Sequence, residues 1–338
     1  MKKHRKLLTL SISAVAVIVI VGGWLLFTPF SNSEKKFIYV KAGDDYQSLC
    51  QRLDSVAGGG KMLTFKILGG ALGLAEDLHV GKYNLQGVGT LRLVRNLRNG
   101  HQATLAFTVP PVNLPENLAA RMGKTFSTDS ATFARAFADK ALLKKYGMTP
   151  QTLFCYVLPD TYDLYWNISP EAFLSRMKKE SDKYWTEKRR AQAAEAGLTT
   201  EQVVTLASIV EKESLDKGEK RIIAGLYLNR LKKDMKLQAC PTAIYANRVF
   251  GVHRVIDEYL RKDDPYNTYI YNGLPPGPIC IPTKETLEAV LDFDHNDYLY
   301  MCAKEDFSGR HNFAATGEEH MQNAKRYAKA LNERKIMK

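Results

Sequence analysis

Two glutamates, Glu211 and Glu213, close the apolar run VVTLASIVEKES. Wound as a helix at roughly 100° per residue, the run puts Leu206, Ile209, Val210 and Glu213 within about 100° of one another and Glu211 on nearly the opposite side. A carboxyl on an apolar stripe costs free energy while charged, because desolvation disfavours the ionised form and raises its pKa. The same desolvation makes it a ready general acid, the group that glycosidic cleavage needs to protonate a leaving oxygen. These residues alone leave two other readings open. Glu213 could be salt-bridged to a neighbouring Lys or Arg, or exposed at a frayed helix end.

Thr199 followed by Gln202 forms a capping box, and Leu198 with Val203 supplies a hydrophobic staple, so the helix is expected to begin at about Thr200. Its end, near Asp216 to Gly218, would set Glu213 at the rim of a cleft. A second cluster of usable groups follows between Tyr266 and Pro282, where four prolines and two glycines exclude helix interior and central strand. In that stiff loop Tyr266, Tyr269 and Tyr271 offer flat faces for ligand rings, and Asn267 and Thr268 offer hydrogen bonds to polar ligand groups. Internal packing of the tyrosines is the alternative. Asn229 and Gln238, polar side chains in apolar or turn surroundings, are further candidates for the cleft wall.

Other chemistries lack their patterns. The five cysteines, Cys50, Cys155, Cys240, Cys280 and Cys302, include no CxxC pair, and His311 and His320 are not at HExxH spacing. No metal site and no cofactor are therefore expected. His311, in the word HNF, is a candidate for the cleft as well as for ordinary core or surface placement. No GxSxG motif is present. The net charge of +12 comes from scattered Lys and Arg without a nucleic-acid-binding signature, so no nucleic acid is expected as partner.

The elements that must position these groups follow from the remaining patterns. At 338 residues, with 45% hydrophobic and 25% charged side chains, the chain has room for an anchor, a small module and a larger domain. Residues 1–6 are basic, and residues 7–30 contain no charged side chain, long enough to span a bilayer. The run continues through Trp24 to Phe27, which favours an uncleaved single-pass anchor over a signal peptide. The basic cluster outweighs Lys35 and Lys36, so the expected topology has the N-terminus in the cytoplasm and everything after Ser31 outside, at the cell inner membrane. Residues 37–105 read as a small α+β module: strand-like FIYVKAG, helix-like YQSLCQRL, a Gly58–Gly60 break, another helix, GKYNL, and a helix closing at LRNG. The boundary is placed near Pro110 and Pro111. Residues 106–338 read as mostly helical to Ala196, then two closely spaced helices, the Pro/Gly loop, strand-like YLYMCA, and an amphipathic helix from about Thr316.

The words LASIVEKES, LYLNRL, LQACPTAIYA and YNTYIYNGLPPGPI, in order between Leu206 and Ile279, resemble the endolytic murein transglycosylase family. LPDTYDLY upstream and HNFAATGEEH downstream extend the resemblance, and the anchor followed by a LysM-like module matches the family's layout. The resemblance implies an α+β chain with a mainly helical, lysozyme-like catalytic domain. It also implies a catalytic acid/base at the second Glu of the EKE triplet, here Glu213. The implied reaction cuts the β-1,4 bond from N-acetylmuramic acid to N-acetylglucosamine within peptidoglycan strands, leaving 1,6-anhydro ends and ending nascent strand growth. Implied partners are the glycan strands, the membrane and peptidoglycan synthases. A muramidase hydrolysing the same bond, or a catalytically silent peptidoglycan-binding scaffold, are the alternatives. Where many relatives carry Asp before the Pro-Thr pair, this chain has Cys240. A Cys240–Cys280 disulfide would pin the neighbouring loop beside the cleft.

Overall fold

A computed structural model describes residues 2–252 and 255–334, with side chains from Leu10 onward; the side chains of the basic N-terminal cluster lie outside the described residues. The chain divides into two compact units. The first comprises Met1–Phe107 with Thr125–Thr128 and Tyr162–Ile168; the second holds the rest.

In the first unit α1 (Lys2–Phe27) is followed by β1 (Phe37–Val40), α2 (Tyr46–Asp54), α3 (Lys61–Ala71), β2 (Gly81–Asn84), α4 (Thr90–Asn99) and β3 (Thr104–Thr108). Within α1, Leu10–Phe27 has a mean hydropathy of 2.5 and is long and apolar enough to cross a membrane. β1 and β2 pair antiparallel, from Phe37 opposite Asn84 to Val40 opposite Gly81. α2 starts at Asp45, whose carboxylate accepts from the Ser48 amide at 2.7 Å, and its amphipathic pattern turns Leu49 and Leu53 inward. They join Phe30, Phe65, Tyr83, Leu93 and Leu97 in one apolar core. Trapped carbonyls at the end of α1 are satisfied by this core's edge. Thr90 donates to Leu25 O at 2.7 Å, and Lys61 donates to Pro29 O and, at 2.8 Å, to Thr28 Oγ1.

The second unit contains α5 (Pro115–Thr125), α6 (Ser130–Ala138), α7 (Lys140–Lys144), α8 (Leu153–Tyr156) and then β4 (Thr161–Tyr165), which returns to pair with β3 and belongs mostly to the first unit. It continues with α9 (Pro170–Tyr184), α10 (Glu187–Glu195), α11 (Thr200–Glu213), α12 (Lys217–Lys232), α13 (Cys240–Asn247), α14 (Asp257–Leu260) and α15 (Lys284–Leu291). An antiparallel hairpin of β5 (Tyr300–Ala303) and β6 (His311–Ala314), and α16 (Gly317–Glu333), complete it.

α11 is the axis of this unit. Its capping box forms as the sequence predicts: Thr199 Oγ1 accepts from the Gln202 amide at 3.2 Å, and Gln202 Oε1 accepts from the Thr199 amide at 2.8 Å. Every residue from Val203 to Val210 is buried, so the helix is enclosed on all sides rather than along one stripe. α12, α13 and α15 pack around it. Because of that enclosure Glu211 is not the solvent-facing carboxylate that a simple wheel suggests. It accepts from the Thr283 amide at 3.3 Å and hydroxyl at 2.8 Å, from the Thr286 hydroxyl, and from Lys220 Nζ at 3.3 Å. A three-residue link, Ser214 to Asp216, turns the chain into α12, where Asp216 caps the Gly218 and Glu219 amides at 2.8 and 3.2 Å. α12 must then pass close to the segment after α15: a Cβ on Gly225 would stand 2.2 Å from Asp294 O, so only glycine fits.

All five cysteines are free thiols. The expected Cys240–Cys280 disulfide does not form, because the two sulfurs face different partners. Cys240 Sγ shares a hydrogen bond with the Tyr269 hydroxyl at 3.0 Å, whereas buried Cys280 Sγ donates to Ser208 O at 3.5 Å.

Candidate active site

Glu213 is the last residue of α11, and its carboxyl opens into a cavity of about 330 Å³ in the second unit. The wall is built by α12, which contributes Tyr227 and Arg230, by Gln238 and Cys240 just before and at the start of α13, by Tyr269 from the Pro/Gly loop, and by β5 and β6. Tyr227 donates its hydroxyl to Glu213 Oε1 at 2.8 Å. Burial pushes the Glu213 carboxyl above the ordinary carboxylate value, and the Tyr227 hydrogen bond and the charge of His311 pull it part of the way back. Burial, reinforced by the Glu213 charge, holds the Tyr227 phenol well above its usual value, so Tyr227 keeps its proton and remains a donor.

Part of the wall is a stack. The Arg230 guanidinium carbon lies 5.7 Å from the Tyr300 ring centre, and Tyr300 stacks on His320 at 5.2 Å between ring centres. Arg230 Nη2 also donates to Gln238 Oε1 at 2.9 Å. Gln238 holds a left-handed backbone (φ 50°), and its amide donates to Thr268 O at 3.1 Å. A non-glycine residue in that region is strained by about 1–2 kcal/mol and persists because its surroundings fix it. His311, first residue of β6, also lines the cavity; behind it the buried Glu219 carboxylate accepts from its backbone amide at 2.7 Å and from its Nδ1 at 2.9 Å.

Of the side chains the sequence nominated, Glu213, Gln238, Tyr269 and His311 meet in this cavity. The others lie outside its lining. Asn229 donates its amide to Asn296 O at 2.6 Å and Tyr298 O at 3.1 Å. Buried Asn267 donates to Leu260 O and Lys262 O at 3.1 and 2.8 Å and accepts from the Tyr269 amide at 3.1 Å, which orients Tyr269. Buried Thr268 accepts from the Ala239 amide at 3.0 Å and shares a hydrogen bond with Thr242 at 2.8 Å. Tyr266 packs on Tyr245 at 4.7 Å and lines a separate hollow of about 270 Å³ with Phe137 and Arg248. Tyr271 is exposed and donates to Asp263 at 2.6 Å. Tyr227, Arg230, Tyr300 and His320 went unnominated. The motif LYLNRL holds the first two, yet nothing local shows that they face a carboxyl on the preceding helix. Among the described residues no cluster of three His, Cys, Asp or Glu is placed to hold a metal ion.

Comparison with known proteins places the chain in a family. A protein of Bacillus subtilis (strain 168) named endolytic murein transglycosylase is 36% identical over 182 residues, 53% of this chain and 49% of that protein. One of the same name from Streptococcus pneumoniae serotype 2 is 29% identical over 283 residues, 73% of this chain and 50% of that protein. The chain thus spans about half the length of the curated relatives it matches. The crystal structure of a yceG-like protein from Listeria monocytogenes is 26% identical and superposes with a TM-score of 0.56, covering 86% of this chain and 99% of that one. The profile of the YceG-like family matches residues 38–326, and the chain belongs to that family.

Proposed function

We propose that this chain is an endolytic lytic transglycosylase of peptidoglycan, with Glu213 as its one acid/base. The observation that carries the reading is a lone carboxyl in the cavity wall: Glu213 is the only Asp or Glu among the lining residues, and its environment favours the protonated form. Hydrolytic glycosidases use two carboxylates, about 5–5.5 Å apart when retaining and about 6.5–9.5 Å apart when inverting. An intramolecular attack by the sugar's own 6-hydroxyl needs only one.

Glu213 gives its proton to the glycosidic oxygen as the C1–O4 bond breaks. The 6-hydroxyl oxygen of the muramic residue forms the new bond to C1, and its proton passes to the ionised Glu213, restoring the acid. No water enters, and the product ends in 1,6-anhydro-muramic acid. Tyr227 holds Glu213 Oε1 in place through both halves, and the fixed donors of Arg230 and Tyr269 face the same space. Tyr269 and Gln238 are the sugar-contacting residues of the wall; Asn229, Tyr266, Asn267 and Thr268 act by holding the wall's loops.

The wider setting belongs to the same reading. α1 is a single-pass anchor in the inner membrane, N-terminus inside, supported by its charge-free run and basic flank. Residues 37–105 are a LysM-like module, supported by the order β1-α2-α3-β2 with the strands paired antiparallel, and residues 106–338 a mainly helical, lysozyme-like catalytic domain. The tether keeps the cleft near newly made strands and their synthases, so cutting there ends strand growth. The test is mass spectrometry of glycan released from purified peptidoglycan by the full chain in detergent. Anhydro-muramic ends, absent with Glu213→Gln, are expected. Reducing ends would make the enzyme a muramidase, and no product would make the chain a scaffold.

A further inference from the structure

Glu219 is a buried carboxylate outside the cavity lining, bonded to His311, which is part of it. It is 7% exposed, on the first turn of α12, and its carboxylate oxygens bond to two residues. Oε1 accepts from the His311 backbone amide at 2.7 Å; Oε2 accepts from His311 Nδ1 at 2.9 Å and from the Ser214 hydroxyl at 3.1 Å. One carboxylate therefore grips both the backbone and the ring of a single histidine, which fixes the ring's rotation. Because an ionised carboxylate only accepts, Nδ1 carries a proton, and Nε2 is the ring nitrogen left for the cavity that His311 lines. Ser214, the residue after Glu213, ties the same carboxylate to the end of α11. The clamp thus joins the C-terminus of α11, the start of α12 and β6.

We propose that Glu219 and His311 form a positioning pair for the acid/base: Glu219 sets the imidazole so that, when protonated, it stands as the positive partner of Glu213 at the moment Glu213 has given up its proton. The inference rests on the reading of Glu213 as acid/base and adds the group that stabilises its ionised half-cycle. The other titratable or charged side chains around Glu213 are Tyr227 and Arg230 of α12, Tyr269, Tyr300, His320, and the thiols Cys240 and Cys302; none is acidic. Arg230 donates to Gln238 Oε1 and, at 3.3 Å, to Leu237 O, and the positive charge that lowers the Glu213 pKa is that of His311. No atom is gained or lost in this step: the proton moves from Glu213 to the leaving oxygen and later back from the 6-hydroxyl, while His311 keeps its own.

The experiment compares His311→Gln and Glu219→Gln with the parent as full chains in detergent, counting anhydro ends from purified glycan strands against substrate concentration and pH. Both variants are expected to lower kcat with little change in KM, by about 100-fold for His311→Gln and about tenfold for Glu219→Gln. Loss of a positive neighbour raises the pKa of Glu213, so the alkaline limb of kcat, where Glu213 loses the proton it must donate, moves to higher pH in His311→Gln. The double variant is expected to be no slower than His311→Gln. Parental kcat in both variants, or lowered kcat with an unmoved alkaline limb and a lowered Tm, overturns the proposal in favour of a structural clamp. Absence of anhydro ends from the parent itself overturns the reaction assigned to Glu213 instead.

Discussion

The Tyr227 hydroxyl and the Glu213 carboxylate, 2.8 Å apart, tie two consecutive helices together at the wall of the cavity. Tyr227 is 1% exposed, and the three-residue link between α11 and α12 brings a residue fourteen positions on back beside the carboxyl. The bond favours the ionised form of Glu213 and opposes the effect of burial. Burial and the hydrogen bond thus act on the Glu213 carboxyl in opposite directions, and burial is the larger.

Tyr227→Phe keeps the buried ring and removes only that bond. The Glu213 pKa is expected to rise, so the alkaline limb of activity moves to higher pH while the maximal rate falls by about tenfold or more. Stability is expected to change by about 1 kcal/mol, the usual worth of one hydrogen bond. pH–rate profiles with parallel thermal melts check both; an unmoved limb refutes the role given to the hydroxyl.

Glu213→Gln is expected to abolish anhydro-end formation and at the same time stabilise the fold at neutral pH. The folded-state pKa of Glu213 lies above its ordinary value, so its contribution to stability is present in acid and is lost as pH rises through the folded pKa. A neutral Gln does not suffer that loss. The gain, on the order of 1 kcal/mol, should therefore appear near pH 7 and vanish below the ordinary Glu value of 4.5. Denaturant melts of both proteins across that range measure it, and a variant less stable at pH 7 contradicts the argument.

Glu211, two residues earlier, should behave in the opposite way. Burial raises its pKa, but hydrogen bonds from Thr286 and Thr283 and the charge of Lys220 outweigh burial and hold it below the ordinary value. Its contribution is present above that value and lost as pH falls through the lowered folded pKa. Lys220→Met leaves this carboxylate without its cation, at a cost of about 3 kcal/mol, and moves the acid-unfolding midpoint to higher pH. Far-UV circular dichroism during acid titration reads the midpoint; an unchanged value would show that the threonines alone suffice.

What the sequence revealed, and what it hid, divides along the range of the interactions involved. The capping box at Thr199 and Gln202, the strand at Tyr300–Ala303 and the helix after Thr316 rest on neighbours within a few residues, and each stands where its pattern put it. The periodicity that placed Glu213 on an inward face was likewise local. It could not show that α11 is enclosed on every side, because that depends on α15 and on the loop before it. Polar side chains were the least legible. Asn229, Asn267 and Thr268 have the chemistry of sugar-binding residues, but loops without regular structure need donors for their own carbonyls and acceptors for their own amides, and these three side chains serve that need. Whether an amide faces a ligand or a carbonyl is decided by partners far away in sequence.

The Pro/Gly loop offers a last test of what its glycines are for. Gly273 has φ of 80° with open space where a Cβ would be, whereas a Cβ on Gly277 would stand 2.0 Å from Gln151 O. Gly273→Ala therefore meets only backbone strain, about 1–2 kcal/mol. Gly277→Ala drives a methyl into a backbone carbonyl that has no rotamer to yield, so the loop itself must shift, at a cost of about 3 kcal/mol. That shift carries with it Ile279, whose amide donates to Ser208 Oγ at 3.0 Å on α11, one and a half turns before Glu213. Gly277→Ala is thus expected to lower Tm further than Gly273→Ala and to lose activity at temperatures where it is still folded. Equal melting temperatures for the two variants would mean that the loop can move away from Gln151 without disturbing the helix.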